Sequence, residues 1–396
     1  MKVSLNQLLG SLLLFTKFIL VPIIGSISNL AFLAGLLIGS KVHRDVIYFR
    51  GHVVNSIYFL IFLMLIVLSV SKLPDVRVFI FFITFIFFAA LSIFRLSPVS
   101  VFLFGSVVVA VALTLLNIDI LLGFTELSDF SAQAVNNKNV LGYAVIPRVL
   151  PNATEFSFVC VVAYTALYFV NINTTLGVVL KLFFAIAVIL AGKIMDIMWL
   201  ALLPFVVMKV ARVSRNTRRL VIGGAFLLPI AYFLIVIAQA AASQYLESES
   251  VFSVMQANGR LFIWSNSIQH FANAPVFSQL FGHGLFYGSF DGIPGLGEFA
   301  RFWFDLGVDP SRVYLHSTAI QILVDFGLFG LIFFFSVIVS MAGFVSWRGF
   351  VFLLLVVFLS TTEVRAYFNS WYSFAMICMV FFDFENRGVT HESSHQ

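Results

Sequence analysis

Long apolar runs broken by short polar loops dominate the chain. A helix needs about 20 apolar residues to cross a bilayer. By that measure spans fall near 6–25, 27–40, 53–71, 77–94, 99–117, 156–171, 175–192, 194–208, 220–242, 316–340, 349–361 and 366–382. The runs at 27–40, 194–208 and 349–361 are short, which implies tilt or extension into their flanks. Pro22, Pro204 and Pro229 sit inside spans, where neighbouring helices re-satisfy the freed backbone groups. The opening run follows Lys2 but has no small-x-small cleavage site, so it reads as a retained first span. The pattern predicts an all-α, polytopic membrane protein of about 12 transmembrane helices. Helices 1–9 occupy 1–242 with an outer loop at 118–155, a large outer loop fills 243–315, helices 10–12 occupy 316–383, and 384–396 forms a tail.

Composition agrees with the pattern. Of 396 residues, 61% are hydrophobic and 10% charged, with 49 phenylalanines, and mean hydropathy is +1.05. A soluble domain carries about 25% charged residues, so the bilayer must cover part of this surface. The net charge of +5 is spread over loops with no basic stripe, which argues against nucleic acid. Cys160 and Cys378 both lie in apolar runs, so neither suggests a structural disulfide.

Basic loops set the orientation. Lys209, Arg212, Arg215, Arg218 and Arg219 crowd one short loop without an acid; Lys41, Arg44 and Arg50 mark another, and Arg95 and Arg348 two more. With the first loop cytoplasmic, alternation through twelve spans puts all of them, and both termini, inside. The segments 118–155 and 243–315 then fall outside, and a loop as long as the second is usually functional.

That second loop carries the candidate chemistry. Leu261, Trp264, Ile268 and Phe271 recur at helical spacing between Asn258 and Pro275, predicting an interfacial helix with Trp264 at headgroup level. Arg260 at its start is either an ordinary interfacial arginine or a cation that holds a lipid diphosphate. His316 opens the next span, either as a polar cap or as a general base, a role suited to a group that titrates near neutrality. Asp325 lies about 13 Å deeper, at 1.5 Å per residue, and a carboxylate there needs a partner, such as another span. Gly327 and Gly330 form a small-residue pair suited to close helix packing. Lys193 with Asp196, and Glu363 with Arg365, flank other outer ends of spans, where each pair is also spaced for a local ion pair. No phosphate-binding loop, GxSxG, zinc-type His-Glu-x-x-His or paired outer-loop acids occur, so a diphosphate would be met by cations, with no metal site or cofactor expected.

The order Gly259-Arg260, Ile263-Trp264, Pro275, Gly282-His283-Gly284, His316-Ser317, then Gly327 and Gly330 resembles the O-antigen ligase and Wzy-type polysaccharide polymerase superfamily. Pro151-Asn152 and Thr362-Glu363 match more loosely, and Gly192-Lys193 stands where the family often has Ser-Arg. The resemblance runs from Asn152 to Glu363 and is densest between Gly259 and Gly330. It implies a GT-C-like fold with a helical periplasmic loop in the bacterial inner membrane, and a metal-independent, inverting glycosyltransferase. By carry-over, Arg260 and Lys193 hold the diphosphate of an undecaprenyl-diphosphate-linked oligosaccharide and His316 activates the acceptor hydroxyl. Asn152, Trp264 and Glu363 join the substrate-binding set. Lysine lacks the bidentate fork of arginine, so the phosphate geometry at Lys193 must differ from the family's. The acceptor is either a second lipid-linked glycan, in a polymerase, or lipid A-core, in a ligase, with a chain-length regulator as a further candidate partner.

Two readings from other classes compete. A lipid-linked-sugar transporter or flippase predicts internal repeats and polar residues spread through midplane helices, whereas here they cluster at one face. A non-catalytic scaffold predicts little effect from changing His316 or Arg260.

Overall fold

The computed structural model describes residues 4–24, 28–42, 76–94, 96–122, 153–170, 172, 174–191, 193–228, 260–284, 287–288, 292–293, 296, 315–361 and 371–383. The expected span at 53–71, most of the first outer loop and the tail lie outside them.

Among the described residues the chain is helical. The order is α1 (Leu5–Ile24), α2 (Asn29–Gly39), β1 (Lys41–Val42), α3 (Val76–Ile93), β2 (Leu96–Ser97), α4 (Val99–Leu116) and α5 (Ile118–Leu121). Then come α6 (Ala153–Ala166), α7 (Thr174–Ala191), α8 (Ile194–Val210) and α9 (215–228). The last group is α10 (Arg260–Asn273), α11 (Val276–Phe281), α12 (Thr318–Phe344), α13 (Trp347–Leu359) and α14 (Trp371–Asp383). In lipid every backbone polar group must find an internal partner, which is why apolar runs fold as helices. Buried hydroxyls obey the same rule: Ser11, Thr114, Thr165 and Ser360 each donate to the carbonyl four residues back.

Three described helices, Val99–Leu116, Thr174–Ala191 and Thr318–Phe344, are long and apolar enough to cross a membrane by length and composition. They sit differently. α4 runs through the interior against α1 and α6. α7 lies at the periphery, with Val178, Leu182 and Ile186 each more than half exposed, an apolar surface suited to lipid. α1 and α2 touch backbone to backbone, since a Cβ on Gly10 would meet the Gly35 carbonyl oxygen at 2.6 Å.

The bundle has two distinguishable ends. At one, β1 and β2 pair antiparallel, Lys41 opposite Ser97, so the Lys41 loop meets the turn between α3 and α4. The Arg218 guanidinium donates to the carbonyls of Val210 and Val345, joining the ends of α8 and α12 at the root of α9. Arg219 stands over the Phe344 ring and Arg348 over Trp347. Phe102 of α4 and Phe352 of α13 pack edge to face near the starts of their helices, tying both patches to this end. At the other end the start of α12 meets the end of α13, where the Thr318 amide donates to the Ser360 carbonyl at 3.2 Å.

α12 departs from expectation. It is broken at Gly327, whose φ of 69° and ψ of −166° no helix contains. The break faces the turn after α11, where Gly282 also has positive φ, 79°. A Cβ on Gly327 would meet the Leu280 carbonyl at 2.5 Å. Beside the break, the carbonyls of Val324 and Asp325 accept from the amides of His283 and Gly284, at 3.2 and 2.9 Å. Gly327 therefore seats the outer turn inside the helix, and Gly330 lies under the Phe326 side chain. Gly327 thus allows the close helix packing that the sequence suggested, against the end of α11, and does so at a break in α12.

Candidate active site at the head of α12

His316 stands one residue before the Ser317 N-cap of α12, in the left-handed region at φ 54°, and no other non-glycine described residue has positive φ. That conformation costs an L-residue about 1–2 kcal/mol, so its surroundings must hold it. Both peptide groups of its neighbour are claimed: the Leu315 amide donates to Gln321 Oε1 at 3.2 Å, and its carbonyl accepts from Trp264 Nε1 at 2.8 Å. Downstream, Ser317 is fully buried and its carbonyl accepts from the Gln321 amide at 2.9 Å. The Ser317 hydroxyl has no hydrogen-bond partner among the described residues. The imidazole itself stays partly exposed while the backbone on either side is fixed.

Trp264 faces protein. It is 4% exposed, in a small apolar cluster with Ile263, Ile293, Leu296, Leu315, Ile320 and Val324. α10 thus packs onto the head of α12, and the indole N–H is spent on the chain leading into His316. Arg260, one turn before Trp264, occupies the same helical face, with Cβ atoms about 6 Å apart at i, i+4 spacing. Its side chain lies outside the described atoms.

Lys193 immediately precedes α8 with extended backbone, φ −90° and ψ 107°. α8 packs on α6 and α13: Trp199 Nε1 donates to Thr165 Oγ1 at 3.1 Å, and its ring lies 5.8 Å from Phe358. Phe358 sits beside Ser360, which binds the start of α12. Lys193 and His316 therefore share one end of the bundle, opposite the arginines of 212–219. Asp196, in the first turn of α8, is buried. Asn152 and Glu363 lie outside the described residues.

Asp325 is fully buried, its carboxylate accepting from the Gly288 amide at 2.6 Å and from Gln321 Nε2 at 3.1 Å. These two partners come from the outer loop and from its own helix. Gln321 escaped the sequence reading, although two polar residues at i, i+4 in an apolar helix are a usable signal. A second missed group joins α10 to the loop after α11: the rings of His270, His283 and Tyr287 pack together, His283 to Tyr287 at 4.4 Å and His270 to His283 at 5.1 Å. Burial holds both imidazoles below the usual histidine range, and His270 lowers His283 further. Among the described residues no three metal-ligating side chains converge.

This geometry presents a histidine on strained backbone at the rim of a bundle, with a lysine at the same end and a position for arginine one turn from its anchor. Residues 179–335 match the family model described as O-antigen ligase, a narrower stretch than the resemblance read from Asn152 to Glu363. It holds Lys193, Arg260, Trp264 and His316 but neither Asn152 nor Glu363. No curated protein and no solved structure matches the chain. The match at 179–335 supports the resemblance to the O-antigen ligase and Wzy superfamily, and together with the long apolar helices it supports a membrane protein of the glycan-transferring type.

Proposed function

We propose that the chain is a polysaccharide polymerase of the inner membrane, moving a growing glycan from undecaprenyl diphosphate onto the next lipid-linked repeat unit. The observation that carries the transferase reading, common to polymerase and ligase, is His316 at φ 54° with its neighbour Leu315 bonded by Trp264 and Gln321, inside the matched stretch. Strained backbone kept in place by surrounding structure is characteristic of functional positions.

The chemistry follows from the groups present. The His316 imidazole takes the proton of the acceptor hydroxyl as that oxygen attacks the anomeric carbon. The bond from that carbon to the diphosphate oxygen breaks, and attack from the opposite face inverts the configuration. The negative charge left on the diphosphate is met by Arg260 and Lys193, aided by the positive end of the α12 dipole. Asn152 and Glu363 are proposed glycan contacts. The site faces the periplasm, with both termini and the arginine-rich end cytoplasmic.

A ligase would use the same donor and leaving group, and the description of the matched family favours that second reading. One experiment tests both. His316→Ala and Arg260→Ala are introduced into a host lacking its own copy, with surface polysaccharide run on a gel beside a membrane-expression blot. Loss of a general base typically costs about 10²–10⁴-fold in rate, so both variants should reach the membrane and lose polymer. A single repeat unit left on lipid A-core identifies a polymerase; bare core with polymer stranded on the carrier lipid identifies a ligase. Normal polymer with His316→Ala removes that residue as the base, and normal polymer with both variants sinks the transferase reading.

A further inference from the structure

Four buried groups form one directed chain of hydrogen bonds around the head of α12. The Gly288 amide donates to Asp325 Oδ1 at 2.6 Å; Gln321 Nε2 donates to Asp325 Oδ2 at 3.1 Å; the Leu315 amide donates to Gln321 Oε1 at 3.2 Å; Trp264 Nε1 donates to the Leu315 carbonyl at 2.8 Å. Gln321, Asp325 and Leu315 are fully buried. The direction of the chain is forced. The Leu315 N–H can only donate, so the Gln321 amide must turn its oxygen to it and its nitrogen away. Asp325 must then accept on one oxygen from that nitrogen and on the other from Gly288. Space is equally constrained, since a Cβ on Gly288 would run into the Gln321 amide.

We propose that Gln321 and Asp325 are positioning residues, acting through Leu315 to hold His316 in its left-handed conformation and aim its imidazole. The proposal rests on the reading of His316 as the base. A free histidine favours negative φ by about 1–2 kcal/mol. The Leu315 peptide groups, clamped from both sides, prevent that relaxation. A slackened clamp leaves His316 in the protein but displaces its ring, and a misplacement of about 1 Å can cost up to about 100-fold in rate. Substrate binding, carried by other groups, is left in place.

The polarity of the chain supplies the test. Asp325→Asn sets amide hydrogens against amide hydrogens, and turning either amide over loses another bond instead. Gln321→Glu sets two carboxylates face to face. The double exchange Gln321→Glu/Asp325→Asn restores every bond with the same net charge: the new carboxylate at 321 accepts from Leu315 and from the new amide at 325, whose oxygen still accepts from Gly288. Full-length protein in nanodiscs would be assayed with lipid-linked glycan extracted from a host deleted for this chain. Each single variant should lose kcat by about 10- to 100-fold with little change in KM, and the double exchange should regain most of it. Wild-type kcat in the singles, or a double no better than the worse single, overturns the proposal. If the singles fail to reach the membrane, Trp264→Phe removes the indole N–H donor to the Leu315 carbonyl, together with part of the ring, and should lower kcat; unchanged kcat there overturns it equally. His316→Ala in the same assay separates the two ideas. If it is inactive while the clamp variants are fully active, the clamp fails and the base stands. If it retains activity, the base itself fails.

Discussion

His270 and His283 meet across the seam between α10 and the turn after α11, with the Tyr287 hydroxyl 3.4 Å from His270 Nε2. His283 Nε2 has no hydrogen-bond partner among the described residues, and burial lowers the affinity of both imidazoles for protons. Among the described residues, Asp325, the one acid of α12, already accepts from Gly288 and Gln321. The sign follows from linkage. The unfolded chain takes up protons near 6.5 while the folded chain resists them. The pair's contribution to stability is therefore complete above that value and is lost as pH falls from it through the depressed folded values. The His283 amide is bonded to the Val324 carbonyl, so acid weakens the seam that seats the outer turn on α12. Melting of the detergent-solubilised protein should drop between pH 7.5 and 5.5, and His283→Phe, which keeps a ring in the cluster, should flatten that drop. An equal slope in the variant would exclude the pair as its source.

At the scale of elements, α12 shows what the sequence could and could not supply. Its start beside His316 was legible, because a polar dipeptide before a long apolar run marks a helix entry. Its break was not. Residues on both sides of Gly327 are apolar, so hydrophobic periodicity passes through it unchanged, and the conformation is imposed by the carbonyls of Gln279 and Leu280 from α11. The clamp was hidden for the same reason: Trp264, Gly288 and Gln321 meet only once the outer turn is seated. α10 was correctly placed by its apolar spacing, but spacing does not say what covers that face, and the cover proved to be protein. Gly327→Ala tests the break. The conformation costs a residue with a Cβ about 1–3 kcal/mol, and the new atom would press on backbone that cannot rotate aside. A loss near 3 kcal/mol should lower the melting temperature by roughly 5–10 °C. Gly224→Ala in α9 is the control, since its Cβ meets nothing within 4 Å and alanine favours a helix by about 1 kcal/mol. Equal melting of the two variants would mean that the break is not under constraint.

Across the whole molecule, the two ends carry opposite chemistry, and this is where the distribution of basic residues and the packing can be set against each other. Arg218, Arg219 and Arg348 gather where α8, α9, α12 and α13 turn, and the β1–β2 pairing brings the Lys41 loop and the α3–α4 turn together. Trp264, His316 and Lys193 gather at the far end of the same helices. Basic residues favour the cytoplasmic side, so the histidine end should face the periplasm, where a lipid-linked glycan would be met after export. The native thiols do not obscure a test, because Cys160 and Cys378 are both buried. Val276→Cys replaces a residue 70% exposed on α11, and Thr217→Cys places a thiol at the exposed root of α9. A membrane-impermeant maleimide applied to intact cells should label position 276 and spare 217, while opened membranes should label both. Labelling of 217 in intact cells would invert the assignment. A cytoplasmic His316 would then have to meet its donor before export, which a polymerase or ligase of surface glycan cannot accommodate.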